Sequence, residues 1–158
     1  MKLSRFLLIK IFIIFISSQS LLYISKAKAA EEIKITYSIF SRTINVNELK
    51  TFAKEGYATR KLKRILRATK TPDEEIRSVL NKDFEVPITI ASKLIYSQVG
   101  NVFLTRLSSI IHPPFANDER TGMLALRASV IQGIKIGNGK INMINFFEGY
   151  LTKTLILD

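Results

Sequence analysis

Along the chain, the spacing of apolar residues changes twice. Near the start it is continuous: Phe6 to Ile16 is broken only by Lys10. Over residues 33–40 it alternates, with Ile33, Ile35, Tyr37 and Ile39 separated by Lys34, Thr36 and Ser38. That is the two-residue period of a half-buried strand. From residue 44 the spacing becomes helical. Asn45 is placed to cap a helix, Glu48 sits at the third position of a capping box, and Ile44 can staple to Leu49. Leu49, Phe52 and Ala53 form the inner face, and Gly56 ends the helix. Thr59 caps a second helix with Leu62, Ile65 and Leu66 inward. Thr71-Pro72-Asp73-Glu74 reads as cap, first-turn proline and acid, followed by Ile76, Val79 and Leu80.

Pro87 holds Val86 out of the helical region, so residues 84–87 read as a connector. Thr89 opens a helix through Tyr96, and residues 101–111 form another with Leu104, Leu107 and Ile111 in register. Residues 112–120 read as a loop. Residues 136–140 form a tight turn around Gly137 and Gly139, residues 142–149 a last helix, and residues 153–157 a closing strand. The pattern predicts a mainly α fold, a small bundle of about six helices with two short strands at the mature termini. No repeat or linker divides residues 30–158, which read as a single helical domain.

Residues 121–134 are the centre of this bundle. On a helical wheel Met123, Leu124, Leu126, Val130, Ile131 and Ile134 share one broad arc, while Ala125, Ser129 and Gln132 lie opposite. Arg127 falls between Ile134 and Ile131, inside the apolar arc. A guanidinium there needs a carboxylate or main-chain carbonyls, because an unpaired buried charge is too costly. Glu48, Asp83, Glu85 and Glu148 are the candidate carboxylates. The alternative role for Arg127 is to bind an anionic ligand.

Charge changes the picture at the two ends. The chain carries 24 Lys and Arg against 13 Asp and Glu, a formal +11. Residues 1–29 hold five of the basic residues and no acid, so the remainder stands at +6. A basic start, an apolar run and Ala27-Lys28-Ala29 have the order of a secretory signal, with cleavage after Ala29. Export to the periplasm or the cell exterior follows. The competing reading is an uncleaved membrane anchor over residues 6–24, which Lys10 and the polar residues 17–20 weaken.

Several patches of the mature chain resemble the cyanobacterial domain of unknown function 1400. Tyr37, Arg42, Ile44, Val46, Leu49, Phe52, Ala53 and Gly56 look like its opening. Phe84-Glu85-Val86 with Leu94, Tyr96 and Gly100, then Ala125-Leu126-Arg127-Ala128, follow in order. Residues 144–150 and 155–158 look like its final helix and strand. The similarity spans residues 31–158. It implies a domain that follows a signal peptide and precedes an α/β-hydrolase catalytic domain. This chain reaches Asp158, where the hydrolase would begin, so the family's catalytic residues have no positions here to fall on.

The residues themselves offer little chemistry. There is no cysteine and one histidine, His112, read as a solvent-facing loop residue before two prolines. No Gly-x-Ser-x-Gly elbow occurs, so no catalytic residue is assigned. Asp73, Glu74 and Glu75 belong to a helix start, which leaves no metal cluster, and Gly133, Gly137 and Gly139 lack the context of a phosphate loop. No cofactor is expected. Arg60, Lys61, Lys63, Arg64, Arg67 and Lys70 are either a solvated outer face or an anionic surface site making weak membrane contact. Nucleic acid is not an expected partner of an exported chain. The expected function is an exported, non-catalytic accessory or interaction domain, with a separately encoded α/β-hydrolase domain as candidate partner. The alternatives are a truncated or split hydrolase whose catalytic domain lies elsewhere, and an anionic-surface binder through residues 60–70.

Overall fold

The structure, a computed structural model, describes residues 29–37, 40–116 and 118–158. The expected signal, Ala27 and the alternative anchor over residues 6–24 lie outside the described residues. No helix among the described residues is long and apolar enough to cross a membrane.

The fold is mainly α, with seven helices and six short strands among the described residues. Strand β1 (Glu32–Tyr37) pairs antiparallel with β2 (Phe40–Asn45), placing Ile33 opposite Ile44. The expectation of one strand over residues 33–40 is therefore corrected to a hairpin. Residues 41–43 are polar, and their strand state comes from pairing with β1, which local alternation does not show. Helix α1 (Val46–Glu55) follows directly. Asn45 Oδ1 accepts from Asn47 N at 2.8 Å, and Gly56 ends the helix at φ 74°, a conformation glycine adopts at no steric cost. Helix α2 (Arg60–Ala68) is capped by Thr59, which accepts from Leu62 N. Helix α3 (Asp73–Asn81) begins after Pro72 with no side-chain cap, so the cap expected from Thr71 is not made. Thr71 bonds back to Thr69 instead.

The middle of the chain departs further from expectation. Phe84–Glu85, read as a connector, forms β3 and pairs antiparallel with β5 (Lys140–Ile141). Helix α4 (Ile88–Ile95) follows Pro87 at its cap position and starts one residue before Thr89. Helix α5 (Gln98–Ser108) starts three residues before Asn101, because Ser97 caps it by accepting from Gly100 N at 3.0 Å. A Cβ on Gly100 would lie 2.0 Å from Leu94 O, so only glycine permits this close turn between α4 and α5. Ile111 does not continue α5. Ile111–His112 is strand β4, paired antiparallel with β6 (Thr154–Leu157). Pro113 disfavours the helical region for His112, and β6 offers hydrogen bonds instead. His112 is thus a half-buried strand residue, which corrects its reading as a solvent-facing loop position.

Strand β6 also lies parallel to β1, which completes a sheet of order β2-β1-β6-β4. The long helix α6 (Glu119–Ile136), capped by Asp118, runs through the core. The short helix α7 (Met143–Glu148), capped by Asn142, packs on its small-residue face. There Ser129 is fully buried, and its hydroxyl donates to Phe146 O. Phe52, Leu62, Leu126, Tyr150 and Leu155 are the most buried large side chains, so helices and sheet share one core.

Candidate functional site

The corner between α4 and α5 is the best-built site among the described residues. Ile95 ends α4 and leaves its carbonyl without a partner inside the helix. Arg127, projecting from α6, supplies one: its Nε donates to Ile95 O at 3.1 Å. Its Nη2 donates to Asn101 Oδ1 in the first turn of α5. The guanidinium carbon lies 4.7 Å from the ring centroid of Tyr96. Arg127 is buried, at 9% exposure, yet it meets no carboxylate. The negative end of the α4 dipole, an amide oxygen and an aromatic face share the compensation of its charge.

The four candidate carboxylates are elsewhere. Glu148 pairs with Lys50, and Glu85 pairs with Lys140 at 3.1 Å. Asp83 accepts from Asn142 Nδ2 at 2.8 Å, and Glu48 lies in the first turn of α1. Arg127 therefore joins three helices, and its donors point into the α4–α5 corner.

Beneath that corner lies a cavity of about 410 Å³. Leu126, Val130 and Ile134 of α6 form its floor, and Leu94, Val99 and Phe103 form its rim. Every lining residue is apolar. The three rim residues are among the exposed apolar residues of α4 and α5, with Val99 at 74% exposure. Along α5, Val99, Val102, Phe103 and Arg106 share one outward face and bound a second, shallower groove with Gln98. Leu104 and Leu107 face the core side. The register of Leu104 and Leu107 marks only the core-facing side of α5 and not the outer stripe. Its signal, apolar residues at positions 99, 102 and 103, was present.

A third site forms where β4 meets β6. His112 Nε2 lies 2.8 Å from Asp158 Oδ2, and Nδ1 lies 3.0 Å from Pro113 O. Burial pushes the imidazole pKa down, but the Asp158 hydrogen bond, the Pro113 carbonyl and the Asp158 charge outweigh it. The net shift is upward. Ser108, Ser109, Asp118 and Glu119 share the cleft. Ser108 Oγ donates to Thr105 O at 2.7 Å and approaches Glu119 O at 3.3 Å, and Ser109 Oγ donates to Arg106 O. Among the described residues no group of three or more histidine or acidic residues could hold a metal ion.

The basic run maps onto α2 and the turn after it. Arg60, Lys61, Lys63, Arg64, Arg67 and Lys70 are all exposed, and none forms an ion pair among the described residues. Leu62 and Leu66 are buried beneath them. Of the residues at the expected cleavage site, Ala29 is exposed, and the next residue, Ala30, is already in the core.

A family model described as "Alpha/beta hydrolase of unknown function (DUF1400)" matches residues 29–158. No curated protein and no solved structure matches the chain.

Proposed function

The chain belongs to that family of alpha/beta hydrolases of unknown function, and from this premise we propose that residues 30–158 are a non-catalytic accessory module of an exported α/β-hydrolase. The arrangement around His112 carries the reading. A hydrolase base must present a free ring nitrogen to its nucleophile. This chain has one histidine, and both of its nitrogens face acceptors, Asp158 Oδ2 and Pro113 O. The serine hydroxyls in the same cleft point at main-chain carbonyls. The described sheet also differs from the sheet that carries a nucleophile elbow. Its one parallel pair is β1–β6, and among the described residues no serine stands on a sharp strand-to-helix turn.

Export after cleavage at Ala29 belongs to the same proposal. It is supported by Ala27-x-Ala29 and by the burial of Ala30 just after the expected cut. The partner in this reading is an α/β-hydrolase catalytic domain. The test is turnover of a p-nitrophenyl ester by the purified chain. The expected result is hydrolysis no faster than in buffer. Turnover that disappears in Ser108→Ala or His112→Ala would make the chain an enzyme and end the accessory reading.

A second reading is favoured by α2. Five exposed basic residues on its nine positions, with no acid in its first turn, form a surface suited to anionic lipid headgroups. This contact would hold the module near a membrane without spanning it.

A further inference from the structure

We propose that the cavity between α4, α5 and α6 binds the hydrocarbon chain of a long-chain fatty acid, with the carboxylate resting on Arg106. The inference goes beyond the accessory role and stands on this chain alone.

The cavity sets the chemistry of what enters. At about 410 Å³ it lies within the range of pockets that hold small molecules, about 300–1,000 Å³. Apolar cavities of well under this volume stay dry and take up hydrocarbon. No lining residue offers a donor or acceptor. A polar group pushed inside would lose its water bonds and gain none, so the inserted part is pure hydrocarbon. Leu126, Val130 and Ile134 make a floor along the helix axis, which suits an extended chain.

The mouth sets the chemistry of the other end. Val99 and Phe103 line both the cavity and the shallower groove, so the two run together at the surface. That groove runs from Gln98 to Arg106, which stands two turns along from Val99 on the same face of α5. Arg106 is exposed and forms no ion pair among the described residues. One guanidinium matches a single carboxylate head. A neutral lipid would leave the arginine unused.

Arg127 contributes by position and does not touch the chain. Its bonds to Ile95 O and Asn101 fix the angle between α4 and α5, which form the two sides of the mouth. Leu94 and Val99 stay apart because that corner is tied down.

The test is titration of the full chain with cis-parinaric acid, whose fluorescence is read against a protein without tryptophan. We expect saturable uptake at one probe per chain, displaced by palmitate. Val130→Phe, which fills the floor, should weaken uptake at least about tenfold. Because that variant can disturb folding, Val99→Glu places a charge at the exposed rim and should weaken uptake similarly. Arg106→Glu should weaken palmitate binding about tenfold while leaving hexadecanol binding unchanged. Absence of saturable uptake overturns the proposal. So does full uptake by both Val130→Phe and Val99→Glu with wild-type circular dichroism. Equal palmitate affinity in wild type and Arg106→Glu overturns the assignment of the head. None of these outcomes bears on ester turnover, so the accessory reading stands or falls separately.

Discussion

His112 and Asp158 join the two edges of a strand pair through one hydrogen bond, Nε2 to Oδ2 at 2.8 Å. The second ring nitrogen faces Pro113 O at 3.0 Å. Both neighbours only accept, so the ring satisfies both when it carries two protons and is cationic. The folded state therefore raises the pKa above the ordinary 6.5. A raised folded value means that the contribution to stability is complete below pH 6.5 and is lost as pH rises through the folded value. The pair is partly exposed, which limits it to about 0–1 kcal/mol. Melting temperatures measured from pH 5.5 to 8.5 should show wild type falling towards His112→Gln as pH rises. A constant difference across that range would show that folding leaves the imidazole pKa unshifted.

Tyr150 is fully buried, and its hydroxyl has no hydrogen-bond partner among the described residues. Burial drives its pKa well above the usual tyrosine range. A buried hydroxyl without a partner costs about 1–3 kcal/mol, and phenylalanine has the same shape without that group. Tyr150→Phe should therefore match wild type in urea denaturation or exceed it by about 1 kcal/mol. A loss of stability on that substitution would mean that the hydroxyl is bonded in solution.

The basic face of α2 is tested by reversing charge where nothing else is disturbed. Lys63, Arg64 and Arg67 are exposed and unpaired, so glutamate at all three should leave the fold intact. Each basic residue near an anionic bilayer contributes about 1 kcal/mol. Sedimentation with phosphatidylserine vesicles should fall sharply in the triple variant, and added salt should release the wild type. Equal sedimentation of both proteins, or none of either, would reduce the patch to a solvated face.

What the sequence revealed about this fold was what the chain decides locally. Asn45 and Thr59 cap helices because each accepts from an amide two or three residues on, and Gly56 ends α1 by its own φ. Strands β2 and β4 were not legible because their partners are distant. β4 exists through β6, more than forty residues along, and β2 holds its polar middle only against β1. The same division runs through the site. The wheel placed Arg127 in the apolar arc, but Ile95 O is 32 residues away and is main chain, so no side-chain pattern could name it. Asn101 was hidden by the start assigned to α5, since the true cap, Ser97, lies four residues earlier. The cavity needed three helices in place before it existed.

Arg127 gives the most demanding prediction, because its partners are neutral acceptors. Arg127→Met keeps much of the apolar stem among Leu126, Val130 and Ile134 but removes the donors to Ile95 O and Asn101 Oδ1. Each acceptor left without a partner costs about 1–3 kcal/mol if it stays dry. Asn101 is exposed and can turn to water, so the larger share falls on Ile95 O at the buried end of α4. A loss of about 2 kcal/mol in chemical denaturation is expected. No carboxylate is stranded, so the larger penalty of a broken buried ion pair does not apply. Arg127→Lys should recover only part of the loss, since an ammonium cannot reach the carbonyl and the amide together while also stacking on Tyr96. Tyr96→Leu, which removes the ring but no hydrogen bond, should cost less than Arg127→Met. If Arg127→Met unfolds at the wild-type denaturant concentration, Arg127 does not tie α4 to α5, and the α4–α5 corner is held without it, by the Ser97 hydrogen bonds and the packing of Ile95 and Leu104.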